Sequence, residues 1–326
     1  MGNVYTKSGA LARRIYFGAT TVWENLYYFL QKRVLADGGT FVENDVLISD
    51  DGASLILTPN AFKAGKLYSA KPDFGAGDFT VDRNSTATYI GQDGLIKTAL
   101  ANVPRIDWST GEAALLKEEQ SINLFDENNN LANVFIVSSS STVTSNTDNS
   151  PDGSFSSLRV ETINNGNLYG RVQNVNPNTT FTLSFYVKNN GGTEANLTIY
   201  NESTGSFILG ITSYFSEINN DNYVRVQFNF TTPASSDTIR IYISRSETNG
   251  DRFFWGFQLE EGTEASSYIP NNGTTVTRLA DQISVPTPAG VTSITETIDG
   301  VEQAPITTIP ATYSLPVGNI NKVTMI

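Results

Sequence analysis

A two-residue rhythm in three separate stretches constrains this chain more than any other feature. Phe181-Thr182-Leu183-Ser184-Phe185-Tyr186-Val187, Val224-Arg225-Val226-Gln227-Phe228-Asn229-Phe230 and Ile239-Arg240-Ile241-Tyr242-Ile243 alternate apolar with polar residues. Successive side chains of a strand point to opposite faces, so this pattern requires a sheet with one buried and one solvated face. Ser157 to Glu161, Leu168 to Gln173, Ala195 to Tyr200, Ser206 to Thr212 and Phe253 to Glu260 supply further extended pieces. Turn-rich runs such as Asn189-Asn190-Gly191-Gly192 and Glu247-Thr248-Asn249-Gly250 separate them. About eight short antiparallel strands at this spacing predict a jelly-roll β-sandwich over residues 123–281.

The remaining sequence reads as three further segments of a mainly β protein. Residues 1–45 contain a predicted helix from Thr21 to Ala36, opened by the Thr21/Glu24 capping box and closed by Gly38-Gly39. Trp23, Leu26, Tyr27, Leu30, Val34 and Leu35 follow helical spacing, and Tyr28 and Phe29 widen the apolar surface beyond one stripe. Such a helix needs cover on several sides, either from its own domain or as an attachment and oligomerisation contact. Residues 46–122 carry recurrent turn signals, Asp50-Asp51-Gly52 and Gln92-Asp93-Gly94 among them, and read as an irregular β connector. Residues 282–326 form a small C-terminal β lobe, where Pro286, Pro288, Pro305, Pro310 and Pro316 predict edge strands.

Composition removes several classes of function. The 326 residues include no histidine and no cysteine. A Ser-His-Asp or Cys-His mechanism, an imidazole or thiolate metal site and a disulfide framework are therefore excluded. The net charge of −12 with no basic stripe argues against nucleic acid as a partner. Only 17% of residues are charged, so the surface is polar through Asn, Ser and Thr, which suits neutral partners such as glycans. No apolar run reaches membrane-spanning length, so no membrane insertion is expected. Arg13 and Arg14 come too late for a signal peptide, which points to synthesis in a cytoplasm.

The residues themselves offer two kinds of site. Sugar binding needs flat aromatic surface and planar polar groups. With the alternating apolar residues turned inward, Tyr186, Arg225, Gln227, Asn229, Arg240 and Tyr242 face outward, and Tyr169 and Arg171 follow the same logic on an earlier strand. Together they form a candidate glycan platform, set against an ordinary solvated sheet face. Trp255 is in phase with Phe253, Phe257 and Leu259 and is expected in the core. The carboxylate pairs Asp126/Glu127, Glu118/Glu119 and Glu260/Glu261 raise the alternative of a polysaccharide depolymerase. Neighbours on a strand point to opposite faces, however, so such pairs do not converge on one substrate and no enzyme is expected.

Three stretches resemble a known family. They are Ala61 to Ser69 with Gly75 to Thr88 (including Phe79-Thr80-Val81-Asp82-Arg83), Asp93 to Ile96 with Asn102-Val103-Pro104-Arg105-Ile106-Asp107, and Trp255-Gly256-Phe257-Gln258-Leu259-Glu260-Glu261-Gly262 with Ser267 to Pro270 and Thr275 to Asp281. They resemble bacteriophage virion appendages, fibres and spikes, whose jelly roll is like the family 4/9 carbohydrate-binding modules. The proline-rich tail resembles the C-termini of such proteins from phages of Bacteroidetes hosts. The resemblance implies a virion structural protein that assembles with itself, often as a trimer, attaches to other virion proteins through the N-terminal segment, and recognises host-surface polysaccharide. The alternative is a capsid or tail decoration without glycan binding. No cofactor is required on this reading. Jelly rolls of this kind often hold a structural calcium ion, for which Asp152 and Asp251 are the candidate ligands.

Overall fold

A computed structural model describes residues 55–57, 62–63, 66–67, 79–125, 136–137, 140–173, 175–236, 238–271 and 274–326. The expected helix at Thr21 to Ala36 lies outside them. The chain forms two compact units, Gln120–Arg278 and a second built from Met1–Glu119 with Leu279–Ile326. Among the described residues there is no α-helix, only a 3-10 turn at Phe215–Glu217, and no helix long and apolar enough to cross a membrane.

The first unit is a jelly-roll sandwich. Its principal strands are β1 (Ser141–Thr144), β2 (Leu158–Gln173), β3 (Thr180–Asn189), β4 (Asn196–Asn201), β5 (Ser206–Ser213), β6 (Val224–Thr231) and β7 (Thr238–Glu261). In one layer β3 lies between β6 and the second half of β7, with Leu183 opposite Phe228 on one side and Leu259 on the other. In the other layer β4 lies between β5 and the first half of β7, with Ile199 opposite Ile241. Partners in register share a face, so Phe181, Leu183, Phe185 and Val187 meet Leu197, Ile199, Ile239, Ile241 and Ile243 in a single buried core. All of these side chains are fully inaccessible.

Strands β2 and β7 belong to both layers. Leu158 to Ile163 pair with Asn249 to Phe254, and Gly166 to Gln173 pair with Thr238 to Glu247. The sequence pattern predicts two separate strands for each; each is one strand carried around a corner. The corner is made by residues in left-handed backbone, Asn164 (φ 51°), Asn165 (φ 62°) and Ser246 (φ 52°). Asparagine tolerates that region better than other side-chain-bearing residues. Inside the corner an ion pair is sealed from water: Arg252 Nη2 donates to Glu247 Oε2 at 2.6 Å with both side chains 0% exposed. The same carboxylate accepts from Ser244 Oγ and from the backbone N–H of Asn196. Arg252 Nη1 donates to the Glu194 carbonyl. Gly250 has to be glycine here, because a Cβ would lie 2.2 Å from Glu247 Oε2.

The second unit corrects the division of the remaining chain. The connector and the C-terminal lobe are one body. Strand Gly318–Met325 pairs with Leu55–Leu57, Ile294–Ile298 and Ala114–Lys117. It is therefore a central strand and not an edge. The prolines do not forbid this, since Pro305, Pro310 and Pro316 fall outside strands and Pro286 ends one. A charged cluster lies buried in this unit. Asp281 accepts from Arg83 Nη1 at 2.7 Å, from Arg105 Nη2 and from the backbone N–H of Glu118. Arg105 also reaches Glu118 Oε2 at 2.6 Å and the Thr88 carbonyl. Arg83 fills its other donors with the carbonyls of Ser85, Leu100 and Val103. Burial lowers the Arg83 pKa, opposed by the hydrogen bond to Asp281.

Removing the charge of Asp281 leaves the buried guanidinium of Arg83 without its carboxylate partner and that of Arg105 with Glu118 alone. Asp281→Asn is therefore expected to destabilise this unit by about 3–5 kcal/mol. Urea denaturation followed by circular dichroism reads this directly, and a transition unchanged from the parent chain contradicts it.

Candidate glycan-binding face

The outer face of the β5-β4-β7-β2 layer carries a row of aromatic rings. With Ile239, Ile241 and Ile243 in the core, Arg240 and Tyr242 turn away from it, Tyr242 remaining only 7% exposed. Tyr169 on β2 is in register with Tyr242, and their ring centroids are 4.9 Å apart. Tyr200 on β4 is in register with Arg240. Phe207 on β5 is in register with Tyr200 and meets it edge-on at 5.4 Å. Rings from four adjacent strands thus span the sheet, ending in Phe207, which is 55% exposed.

Arg240 holds the row together. Its guanidinium carbon lies 4.5 Å from the Tyr169 centroid, 5.5 Å from Tyr200 and 5.9 Å from Tyr242. Its Nη1 donates to the Tyr242 hydroxyl at 3.0 Å, and its Nε donates to Glu202 Oε1 at 2.7 Å. Partial burial opposes its charge, but the bonds to Tyr242 and Glu202 outweigh it and raise the pKa. Arg245 joins the same face because of a register irregularity between Leu168 and Tyr169. Its guanidinium carbon lies 4.6 Å from the Tyr242 centroid and 5.9 Å from Phe207, and its Nη1 donates to Asn167 Oδ1 at 3.0 Å.

The residues expected to form one platform are divided between opposite outer faces. Tyr169, Arg240 and Tyr242 are together. Arg171 stands in register with Arg240, though its side chain is outside the described ones. Tyr186, Arg225 and Gln227 lie on the β6-β3-β7 layer instead, as does Asn229. There the chain's own segment after β7 covers them. Arg225 Nη1 donates to the Ser266 carbonyl at 2.7 Å, Gln227 Nε2 to Glu264 Oε2 at 3.2 Å, and Asn229 Nδ2 to the Thr263 carbonyl at 2.8 Å. Beneath that segment Thr182 and Ser184 are completely buried on what alternation alone reads as a solvated face.

Trp255 is also corrected. It is buried, but not in the core between the layers. Gly256 adopts φ +63° and the register shifts between Ser184 and Tyr186, so a bulge reverses the phase and Phe254, not Phe253, enters the core. Trp255 turns to the covered face, 5.7 Å from Tyr186 and 4.6 Å from Tyr268. Its Nε1 donates to Ser156 Oγ at 3.1 Å.

The candidate calcium ligands are each engaged by protein groups. Asp152 closes its own turn, accepting from Ser150 Oγ and from the backbone and hydroxyl of Ser154. Asp251 is held by Arg159 through Nε at 3.0 Å and Nη2 at 2.7 Å. Among the described residues no group of three or more acidic side chains is arranged to hold a metal. The carboxylate pairs are likewise separated in role. Glu118 binds Arg105, Glu260 accepts from Ser121, Gln258 and Ser266, and Glu261 accepts from Asn176. Asp126 and Glu127 lie outside the described residues.

Residues 125–249 match the family model described as a carbohydrate binding domain. No curated protein matches the sequence. Among solved structures, similarity extends to the CBM22-1 xylan-binding domain of Paenibacillus barcinonensis Xyn10C, at 15% identity and TM-score 0.33, over 46% of this chain and 98% of that one. The enzymatically active domain of bacteriophage CBA120 tailspike protein 4 is similar at 14% identity and TM-score 0.32, over 44% of this chain and 20% of that one. The CBM22-1–GH10 modules of Clostridium thermocellum Xyn10B are similar at 12% identity and TM-score 0.32, over 44% and 28%.

If the covered face is held as described, Arg225→Ala releases the segment after β7 without touching the aromatic row. Hydrogen exchange at the amides of Ala265, Ser266 and Ile269 is expected to accelerate at least tenfold, about 1.4 kcal/mol of lost protection. Unchanged exchange contradicts that role for Arg225.

Proposed function

We propose that this protein recognises polysaccharide through the aromatic face of Tyr169, Tyr200, Phe207 and Tyr242, with Arg240 as the fixed polar group between the rings. The observation that carries this reading is the row of rings across four strands, exposed at Phe207 and partly exposed at Tyr169 and Tyr200. Sugar rings present C–H groups that pack on flat aromatic surface, and their hydroxyls need donors and acceptors held in fixed positions. The bond of Arg240 to Glu202 fixes one such group without collapsing the row. All five residues lie within the segment that matches a carbohydrate binding domain.

The resemblance of the stretches around Arg83, Arg105 and Asp281 to phage appendages supports a finer reading, in which the module is carried by a fibre or spike assembled from several copies and the polysaccharide is on the host surface. In the alternative, a structural decoration, the aromatic face is covered by neighbouring subunits in the particle.

A microarray of bacterial and plant polysaccharides, probed with the full chain, tests the binding. Phe207→Ala, which removes the exposed ring of the row, is expected to weaken the strongest interaction at least tenfold, roughly 1.4 kcal/mol. Tyr186→Ala is expected to leave it unchanged. Failure of the folded parent chain to bind any polysaccharide would sink the proposal.

A further inference from the structure

We infer that the polysaccharide taken by this face carries carboxylate groups, and that Arg245 reads them. The inference rests on the glycan reading above and concerns what distinguishes the two arginines of the face.

Arg240 has a carboxylate partner in Glu202. Arg245 differs. Its hydrogen-bond partner is the neutral amide of Asn167, and among the described residues no carboxylate lies within ion-pair distance of it. The contrast is sharp within β2 and β7, where Arg159 holds Asp251, Arg240 holds Glu202 and Arg252 holds Glu247. The chain has 33 acidic residues against 21 basic ones, so carboxylates are the commoner partner, yet this guanidinium lacks one. It is half-buried between rings, with Nε inaccessible and without an acceptor. That placement reduces its hydration and strengthens its attraction for an incoming anion.

The geometry suits a uronic acid. The guanidinium sits above Tyr242 and within 5.9 Å of the exposed Phe207 ring. With Nε inaccessible and Nη1 bonded to Asn167, the Nη1/Nη2 end of the guanidinium is the one left to meet a carboxylate, whose planar geometry it matches. In a uronic acid the carboxylate projects from the edge of the sugar ring. A sugar packed on Phe207 therefore brings its carboxylate to Arg245 without losing the ring contact. With a net charge of −12 the chain repels a polyanion at long range, so selection has to come from this local group.

The experiment uses the full chain with alginate, polygalacturonate, hyaluronan and the acidic bacterial members of the microarray, each native and after carboxyl reduction, beside neutral xylan and mannan. Affinity is measured at low salt and at high salt. At least one native acidic polymer is expected to bind, to lose tenfold or more on carboxyl reduction, and to weaken as salt rises. Arg245→Gln is expected to reproduce that loss on the native polymer and to leave the reduced polymer unaffected. Arg245→Lys, which keeps the charge without the fork, is expected to fall between them, and circular dichroism verifies that both variants fold. Reduced or neutral polymers binding as tightly as acidic ones would overturn the inference while leaving glycan recognition intact. So would an equal loss on native and reduced polymers, the sign of an arginine that merely props the rings. Absence of binding to every polymer removes the glycan reading itself.

Discussion

The sandwich depends on a corner that two strands turn together. Strands β2 and β7 each run through both layers, and at the turn their backbones leave regular pairing. The Glu247–Arg252 pair occupies the space this creates, sealed from water and bonded to Ser244, Asn196 and the Glu194 carbonyl. Ion pairs of this kind add little net stability over an apolar filling, but losing one partner is severe. Their value here is geometric, since a carboxylate and a guanidinium accept only a few arrangements. Gly250 leaves room for that carboxylate and nothing larger. Because the corner fixes which half of β7 lies in which layer, it also decides that Arg240, Tyr242 and Arg245 look out from one side of the module and Trp255 from the other.

That is also where reading the sequence reached its limit. Alternation says which residues face in and which face out, and for Phe181 to Val187 and Ile239 to Ile243 it does so correctly. It is silent on which of two layers a strand joins. Residues with the same phase, such as Tyr186 and Tyr242, therefore look like neighbours when they occupy opposite outer faces. Tyr200 follows from the same alternation, with Leu197 and Ile199 inward, and was legible. Phe207 and Arg245 were not, because irregular register at β5 and near Leu168 places them. Gly256 is the visible trace of the bulge that turned Trp255 out of the core, yet a lone glycine in a strand does not announce which way the phase changes.

The second unit shows the same principle in another form. Its buried cluster draws Arg83, Arg105 and Asp281 from three distant parts of the chain. Each lies in a separate short stretch of the sequence. Such a set is recognisable as words in a sequence, whereas the contact that unites them is not, because nothing local requires Asp281 to meet an arginine 198 residues away. The C-terminal strand was misjudged for a related reason. Proline density around it suggested an edge, but the strand itself holds no proline, and its register with three partners is set by side chains far away in sequence.

An aromatic row on an outer face raises the problem of how it stays in water without recruiting another chain. Strand β5 is an edge carrying exposed Phe207 and Ile211 and no charged residue, the kind of edge that invites pairing. Two features oppose this. Register shifts opposite Ile199 bend β5 away from a flat template. The guanidinium groups of Arg240 and Arg245 lie over the rings, placing charge where another protein would need apolar contact. A partner acceptable to this surface has to offer ring-sized apolar patches while leaving polar groups for the arginines. Sugars meet both conditions in one molecule, and a second sheet edge meets only the first.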